Sequence, residues 1–302
     1  MPKFFLRVSD WPQGLDQARR DLLAGAHRHD VLEQAIRVLE IDPADDSVGY
    51  GGFPNILGTM ELDACFMDGN TRAVGGIAGI THFLPVRVAR RLMEREFHTL
   101  LAGSGAESFA HECGLSPEPT LSEAQRLAWE RNIKPRLGQK PLYDLVRDIA
   151  QPTTTNFDTT IMIASDGNGI SAAASSSGFP YKYPGRVGDA PLAGAGLYVD
   201  SRYGGAACNY TGEMAIRIVA ARVVVENLKA GRSAEQAVHA AMDDALSLTG
   251  GLIRTLLIHA IDPDGTPYAA AINAAKPLTY SYWREGMAQP EQRPVFPYVV
   301  QH

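Results

Sequence analysis

Asp158-Thr159-Thr160-Ile161-Met162-Ile163-Ala164 marks the point where a Thr-rich polar connector, Gln151 to Phe157, gives way to an apolar run. The run reads as a β-strand, and the connector has neither helical nor strand period. A threonine at the head of such a strand has a chemistry that depends on the bond before it. While the Asp158–Thr159 amide is intact, Thr159 is an ordinary residue. If that bond breaks, Thr159 gains an α-amine beside its own hydroxyl, a nucleophile and a base in one residue. A free α-amine has a pKa of about 7.7–8.0, so a useful fraction is neutral near physiological pH. The dipeptide alone says little, because Asp158 closing a loop and Thr159 opening a strand need no chemistry at all.

Downstream of Thr159, the turn Asp166-Gly167-Asn168-Gly169 predicts a hairpin with a second strand from Ile170 to Ser177. Its end, Ser175-Ser176-Ser177, would then lie beside Thr159, where a hydroxyl could tune the nucleophile. Upstream, Phe4 to Val8 reads as a first strand, followed by helical spacing over 15–24 and 31–39. A Gly-rich loop follows, Ser47-Val48-Gly49-Tyr50-Gly51-Gly52-Phe53-Pro54. Strands are predicted over 61–67 and 73–77, joined by Asp68-Gly69-Asn70, with a short strand at 99–102. Helices are predicted over 86–97, 106–113, 121–131 and 142–149. After a Gly/Pro-rich stretch, 185–196, one long helix is predicted over 214–228 and another over 234–246. Strands at 256–261 and 268–272 close the pattern.

Apolar strands without strict alternation suggest sheets buried on both faces. Hairpins outnumber βαβ units, which argues against a doubly wound parallel sheet. The expectation is an α+β fold in a single domain, 1–302, with two sheets stacked between two helix layers.

Composition narrows the function classes. The chain has 302 residues, 45% hydrophobic and 21% charged, an ordinary globular balance. A net charge of −6 and the lack of a Lys/Arg block argue against nucleic acid as a partner. Arg87, Arg90, Arg91 and Arg95 recur at helical spacing and read as a solvated face. Cys65, Cys113 and Cys208 are widely spaced, without a CxxC pair, so neither a disulfide framework nor a structural zinc site is expected. No stretch of about 18 apolar residues occurs, and the N-terminal apolar run is too short for a signal peptide, so a reducing, cytoplasmic setting without a membrane partner is expected.

Three further groups carry possible chemistry. Arg186 and Asp189, on a loop bounded by Gly185 and Gly188, offer a cation and an anion suited to the carboxylate and ammonium of an amino-acid head. Taken alone, they could equally be a local ion pair in a turn. Asn209-Tyr210-Thr211-Gly212 precedes a predicted helix and could stabilise an oxyanion, or Thr211 could simply cap that helix. Trp11, next to a strand end, could stack on a ligand or pack inside.

These residues in order resemble the glycosylasparaginase (aspartylglucosaminidase) family of N-terminal-nucleophile hydrolases, within the wider asparaginase and isoaspartyl-peptidase group. The resemblance is carried by Ser47-Val48-Gly49-Tyr50-Gly51-Gly52, by Leu62-Asp63-Ala64 with Met67-Asp68-Gly69, by His98-Thr99-Leu100-Leu101, by Asp158-Thr159 and by Gly185-Arg186-Val187-Gly188-Asp189. It runs colinearly from Trp11 to about Ala274. It implies a four-layer αββα sandwich, self-cleavage between Asp158 and Thr159 into chains 1–158 and 159–302, and a dimer of such αβ units. It implies Thr159 as nucleophile, Ser176 as its assisting hydroxyl, Arg186 and Asp189 as the substrate clamp, and Trp11 in the pocket. The implied reaction is hydrolysis of an amide on the side-chain carbonyl of aspartate, without metal or cofactor.

The chain departs from the family pattern at three places. Asn209-Tyr210 stand where the family shows Thr-Gly in the oxyanion element, unless Thr211-Gly212 serve after a two-residue shift. Phe53 replaces a serine, and Asp10 stands before Trp11 where a threonine is expected. The leaving amine is therefore left open. An L-asparaginase or isoaspartyl dipeptidase is the alternative, and an uncleaved, catalytically silent binding protein is a third.

Overall fold

The computed structural model describes residues 1–8, 12–95, 97–149 and 159–299. The chain opens with strand β1 (Lys3–Val8), helices α1 (Leu15–Leu23) and α2 (Arg28–Glu40), and strands β2 (Leu62–Asp68) and β3 (Val74–Ile80). Helix α3 (Pro85–Arg95), strand β4 (Leu100–Ala102) and helices α4 (Gly103–Glu112), α5 (Glu123–Asn132) and α6 (Leu142–Ile149) follow. The second half begins with β5 (Thr159–Asp166), β6 (Ile170–Ser176), β7 (Leu197–Asp200) and β8 (Gly204–Tyr210). Helices α7 (Gly212–Ile218), α8 (Ala220–Lys229) and α9 (Ala234–Leu246) come next, then β9 (Leu256–Ile261), β10 (Pro267–Ile272), β11 (Thr279–Arg284), β12 (Glu291–Pro294) and β13 (Phe296–Pro297).

The strands form two sheets, ordered β12-β11-β1-β5-β6-β2-β3-β4 and β13-β10-β9-β8-β7. Pairing is antiparallel except for β3 with β4 and β10 with β13. The fold is α+β. The larger sheet interleaves the two halves of the sequence, because β1 runs between β5 and β11, and β6 lies against β2. Its register places Asp63, Ser176 and Thr159 in one row across β2, β6 and β5.

Three apolar clusters explain the strand composition. One joins α1–α4 to the larger sheet through Leu22, Leu32, Ile36, Phe66, Val88 and Leu92. A second collects Leu6, Ile161 and Ile163 of the larger sheet with Leu197, Leu257 and Ile261 of the smaller. The third sets α8 and α9 on the smaller sheet through Val224, Val225, Val238 and Met242. Residues of β2, β5, β6 and β9 are buried along their whole length, as expected for strands covered on both faces. Each such Leu or Ile contributes ~1.5–3 kcal/mol on burial. Alanine and glycine let the sheets approach: a Cβ on Gly205 would stand 3.3 Å from Ile163 of the facing sheet.

A buried ion network fixes the end of the larger sheet remote from Thr159. Arg28, at the start of α2, pairs with Asp68 at the end of β2 and with Asp166 at the end of β5. Burial opposes ionisation of Asp68, but its hydrogen bonds from His29, Arg28 and Thr71 outweigh that and hold its pKa far below the usual carboxylate range.

The long helix expected over 214–228 is two helices, because Val219 between them adopts φ 52°. The amides of Ala221 and Arg222 turn to the carbonyls of Ala195 and Gly194. The Arg87–Arg95 face proves more structured than a solvated surface, since Arg90 pairs with Asp30, Glu33 and Glu94. All three cysteines are free. No helix of the described residues is long and apolar enough to cross a membrane.

Candidate active site

Thr159 opens β5 and is buried, with its Oγ1 2.8 Å from Ser176 Oγ. The contact follows from register: residues directly opposite across an antiparallel pair face each other on one side of the sheet. Ser176 Oγ also accepts the Gly178 amide at 3.0 Å. The neighbouring Ser177 donates to the Ser47 carbonyl and ties the Gly-rich loop to the same strand end. A Cβ on Gly52 would stand 2.8 Å from Ser177 Oγ, so that loop approaches closely only because it has no side chain there. Phe53 packs on Tyr181, edge to face at 5.8 Å between centroids. Trp11 and Asp158 lie outside the described residues.

Asn209, at the end of β8, reaches Thr159 from the facing sheet. Its Nδ2 donates to the Thr159 carbonyl at 3.1 Å, while its Oδ1 accepts the Tyr210 amide at 2.7 Å. Tyr210 holds φ 79°, a conformation in which a glycine is at ease and a tyrosine is strained. Thr211 does occupy the residue before α7, but its hydroxyl does not cap that helix. It donates to the Thr255 carbonyl at 2.7 Å, beside β9. The cap expectation is corrected by that tertiary bond.

Arg186 and Asp189 come together at Gly212. A Cβ there would stand 2.5 Å from Asp189 Oδ1 and 3.3 Å from Arg186 Nη2. The Nη1 edge of Arg186 is similarly close to Gly188, where a Cβ would stand 2.7 Å away. The fork itself faces Glu213, with Nε at 3.0 Å and Nη2 at 2.9 Å from the two carboxylate oxygens. Burial opposes ionisation of Glu213, but the Arg186 charge and its hydrogen bonds outweigh it and hold its carboxyl below the usual carboxylate range. The guanidinium also stacks over Phe179, 4.6 Å from the ring centroid.

The chain matches the family model described as asparaginase over residues 9–282. The chain belongs to this asparaginase family. Among its relatives, an N(4)-(beta-N-acetylglucosaminyl)-L-asparaginase of Elizabethkingia miricola is 38% identical over 78% of this chain and 68% of its own. An isoaspartyl peptidase of Salmonella typhimurium is 35% identical over 83% of this chain and 80% of its own. A plant-type L-asparaginase of Pyrococcus abyssi is 33% identical over 93% of each.

Three residues of this asparaginase-family site have no role in the sequence reading. Glu213 is one, and nothing local signals a partner for Arg186 at a separation of 27 residues. Asp63 is another: it is fully buried and accepts the amides of Gly79 at 2.9 Å and Gly188 at 3.5 Å, pinning the Arg186 loop to β2. Lys182 is the third, donating from its buried ammonium to the Glu61 carbonyl at 2.8 Å. The Arg186–Glu213 pair forms one wall of a cleft of about 850 Å³.

Proposed function

We propose that this chain is an autoprocessing amidohydrolase. It cleaves the side-chain amide of an N4-substituted asparagine or a β-aspartyl compound through an acyl-enzyme on Thr159. Supporting this, Thr159 Oγ1 lies 2.8 Å from Ser176 Oγ at a strand end, within a chain of the asparaginase family. The scaffold is best read as a four-layer αββα sandwich in which the two sheets lie between the helix groups α1–α4 and α7–α9.

Activation begins with attack of Thr159 Oγ1 on the Asp158 carbonyl carbon. The C–N bond breaks as a C–O ester forms, the proton passes to the amine, and water hydrolyses the ester. The freed α-amine is then the base for turnover. Thr159 Oγ1 attacks the substrate's side-chain carbonyl, and the α-amine accepts its proton and delivers it to the departing amine. Water cleaves the aspartyl ester in the same way. Ser176 orients Oγ1 in both stages, and its bond from Gly178 fixes its own position. The positive φ of Tyr210 supports placing Asn209-Tyr210, in register, at the family's Thr-Gly pair, without a shift to Thr211-Gly212. Arg186 and Asp189 hold the α-carboxylate and α-ammonium. The interleaved larger sheet would keep chains 1–158 and 159–302 together as an αβ unit, and dimerisation of such units follows the family resemblance.

A cleft of this size beside the clamp favours a substituted amine over ammonia as leaving group. Steady-state hydrolysis of L-asparagine, N4-(N-acetylglucosaminyl)asparagine and β-aspartyl-leucine tests the reading. Faster turnover of either substituted substrate is expected. Turnover of asparagine alone would move the assignment to a plain L-asparaginase, and inactivity on all three would move it to a silent scaffold.

A further inference from the structure

Ser175 and Ser176 are neighbours on β6 and face opposite sides of the sheet. Ser176 points between the two sheets, as Ala172 and Ala174 do, and meets Thr159 there. Ser175 points to the helix layer, as Ala173 does. On that side its hydroxyl donates to Glu40 Oε1 at 2.7 Å. The same oxygen accepts the Val86 amide at 3.0 Å. Glu40 is the last residue of α2, and Val86 is in the first turn of α3. One buried carboxyl therefore joins the ends of two helices to the strand end that carries Ser176.

The packing around Glu40 does not call for an acid. The residue is fully buried, while α2 and α3 meet the sheet through apolar side chains such as Ile36 and Val88. A carboxyl in such surroundings costs stability unless its hydrogen bonds compensate. Those bonds run to one side. Oε2 has no hydrogen-bond partner among the described residues, and Arg37 Nη1 stands 3.7 Å from it. Thr160, opposite Ser175 on β5, is buried as well, and its hydroxyl has no hydrogen-bond partner among the described residues. Of this opposed pair, Ser175 is the one whose hydroxyl ties the sheet corner to α2. On the other side of Ser176, Ser177 is anchored to the Ser47 carbonyl at 2.8 Å. Ser176 thus sits between two anchored serines, and its contact with Thr159 depends on where they hold the strand, because a hydrogen bond weakens steeply with misalignment.

We infer that Glu40 is a positioning residue for the nucleophile: through the Ser175 hydroxyl it fixes the end of β6 and so sets Ser176 Oγ against Thr159 Oγ1. This deepens the amidohydrolase reading and rests on it. Glu40 lies behind the sheet, on the face away from the Thr159–Ser176 contact, and acts only by position.

A double-mutant cycle tests this, read in the rate of chain cleavage and in turnover of β-aspartyl-leucine, each scaled to the folded fraction. Ser175→Ala is expected to lower kcat and the cleavage rate about fivefold, with KM within about twofold, as for one lost neutral hydrogen bond. In a Ser176→Ala background the same substitution should cost less than about twofold, because the group it positions is gone. Glu40→Ala should reproduce the loss, and Glu40→Gln, which keeps an oxygen for the Ser175 hydroxyl, should restore most of it. That pair reads the same link if Ser175→Ala does not fold. Wild-type rates in Ser175→Ala, or an equal loss with and without Ser176, would overturn the inference and leave the amidohydrolase assignment standing. A wild-type chain that neither divides nor hydrolyses the substrate would overturn both.

Discussion

Arg186 presents two nitrogens of its guanidinium to the two oxygens of Glu213, at 3.0 and 2.9 Å. The clamp proposed for the substrate carboxylate therefore already holds a carboxylate supplied by the protein. Glu213 both orients the fork and competes for it. Glu213→Gln keeps the shape and removes the competing charge. KM for β-aspartyl substrates is expected to fall about threefold to tenfold, with kcat little changed, as for ~1 kcal/mol of released competition. A rise in KM in steady-state assays would show that orientation dominates.

Ser176 Oγ lies 2.8 Å from Thr159 Oγ1, and if it acts through that contact as proposed, Ser176→Ala should slow both self-cleavage and turnover. Loss of one neutral hydrogen bond is worth ~1 kcal/mol, about fivefold to tenfold in each rate. KM is expected to stay within twofold, because Ser176 is not part of the clamp. Parallel time courses of chain cleavage and hydrolysis check this, and an unchanged cleavage rate would separate Ser176 from the nucleophile.

Buried Glu40 should shape the pH dependence of stability. Burial pushes its carboxyl up to about 7, against weaker lowering by its bonds from Ser175 and Val86. A folded-state pKa above the unfolded value stabilises the fold fully below the unfolded pKa. That contribution is lost as pH rises from about 4.5 to about 7, by up to ~3 kcal/mol. Glu40→Gln should flatten this part of the curve, read from urea midpoints between pH 4 and 8. An identical slope in the variant would remove Glu40 from the account.

Val219 is a β-branched residue at φ 52°, half-exposed between α7 and α8. A valine in that region is strained by roughly 1–2 kcal/mol. Val219→Gly should raise stability by about 1 kcal/mol and the thermal midpoint by ~2 °C. A lower midpoint would mean that the side chain's contact with the Gly194 loop outweighs the strain.

Much of the larger sheet was legible because its strands are rich in Ile, Leu, Met and Phe and are separated by Asx-Gly turns. One such turn placed the strand end Ser175-Ser176-Ser177 beside Thr159, and the register sets Ser176 opposite it, the one of the three that the family resemblance had singled out. Strands β7 and β8 were not legible, nor were β11, β12 and β13, which follow the last strand read from the sequence. Gly204-Gly205-Ala206-Ala207-Cys208 has little β propensity and is a strand because both of its faces are covered. The break at Val219 has no Gly or Pro to announce it, and the loop that takes the helix amides, at Gly194 and Ala195, is distant in sequence. The Arg186–Glu213 pair depends on which helix face meets which loop, which spacing alone does not specify.

The proposed nucleophile and base both depend on a single covalent event, cleavage of the Asp158–Thr159 bond. Intact mass under denaturing conditions, with N-terminal sequencing, reads it directly for the wild type and for Thr159→Ala. The wild type is expected to give two fragments, 1–158 and 159–302, whose masses sum to the chain plus one water. The second should begin Thr-Thr-Ile-Met. Thr159→Ala should stay a single chain. A wild-type chain that remains whole over days at several pH values, or a Thr159→Ala chain that still divides there, would contradict Thr159 as the nucleophile.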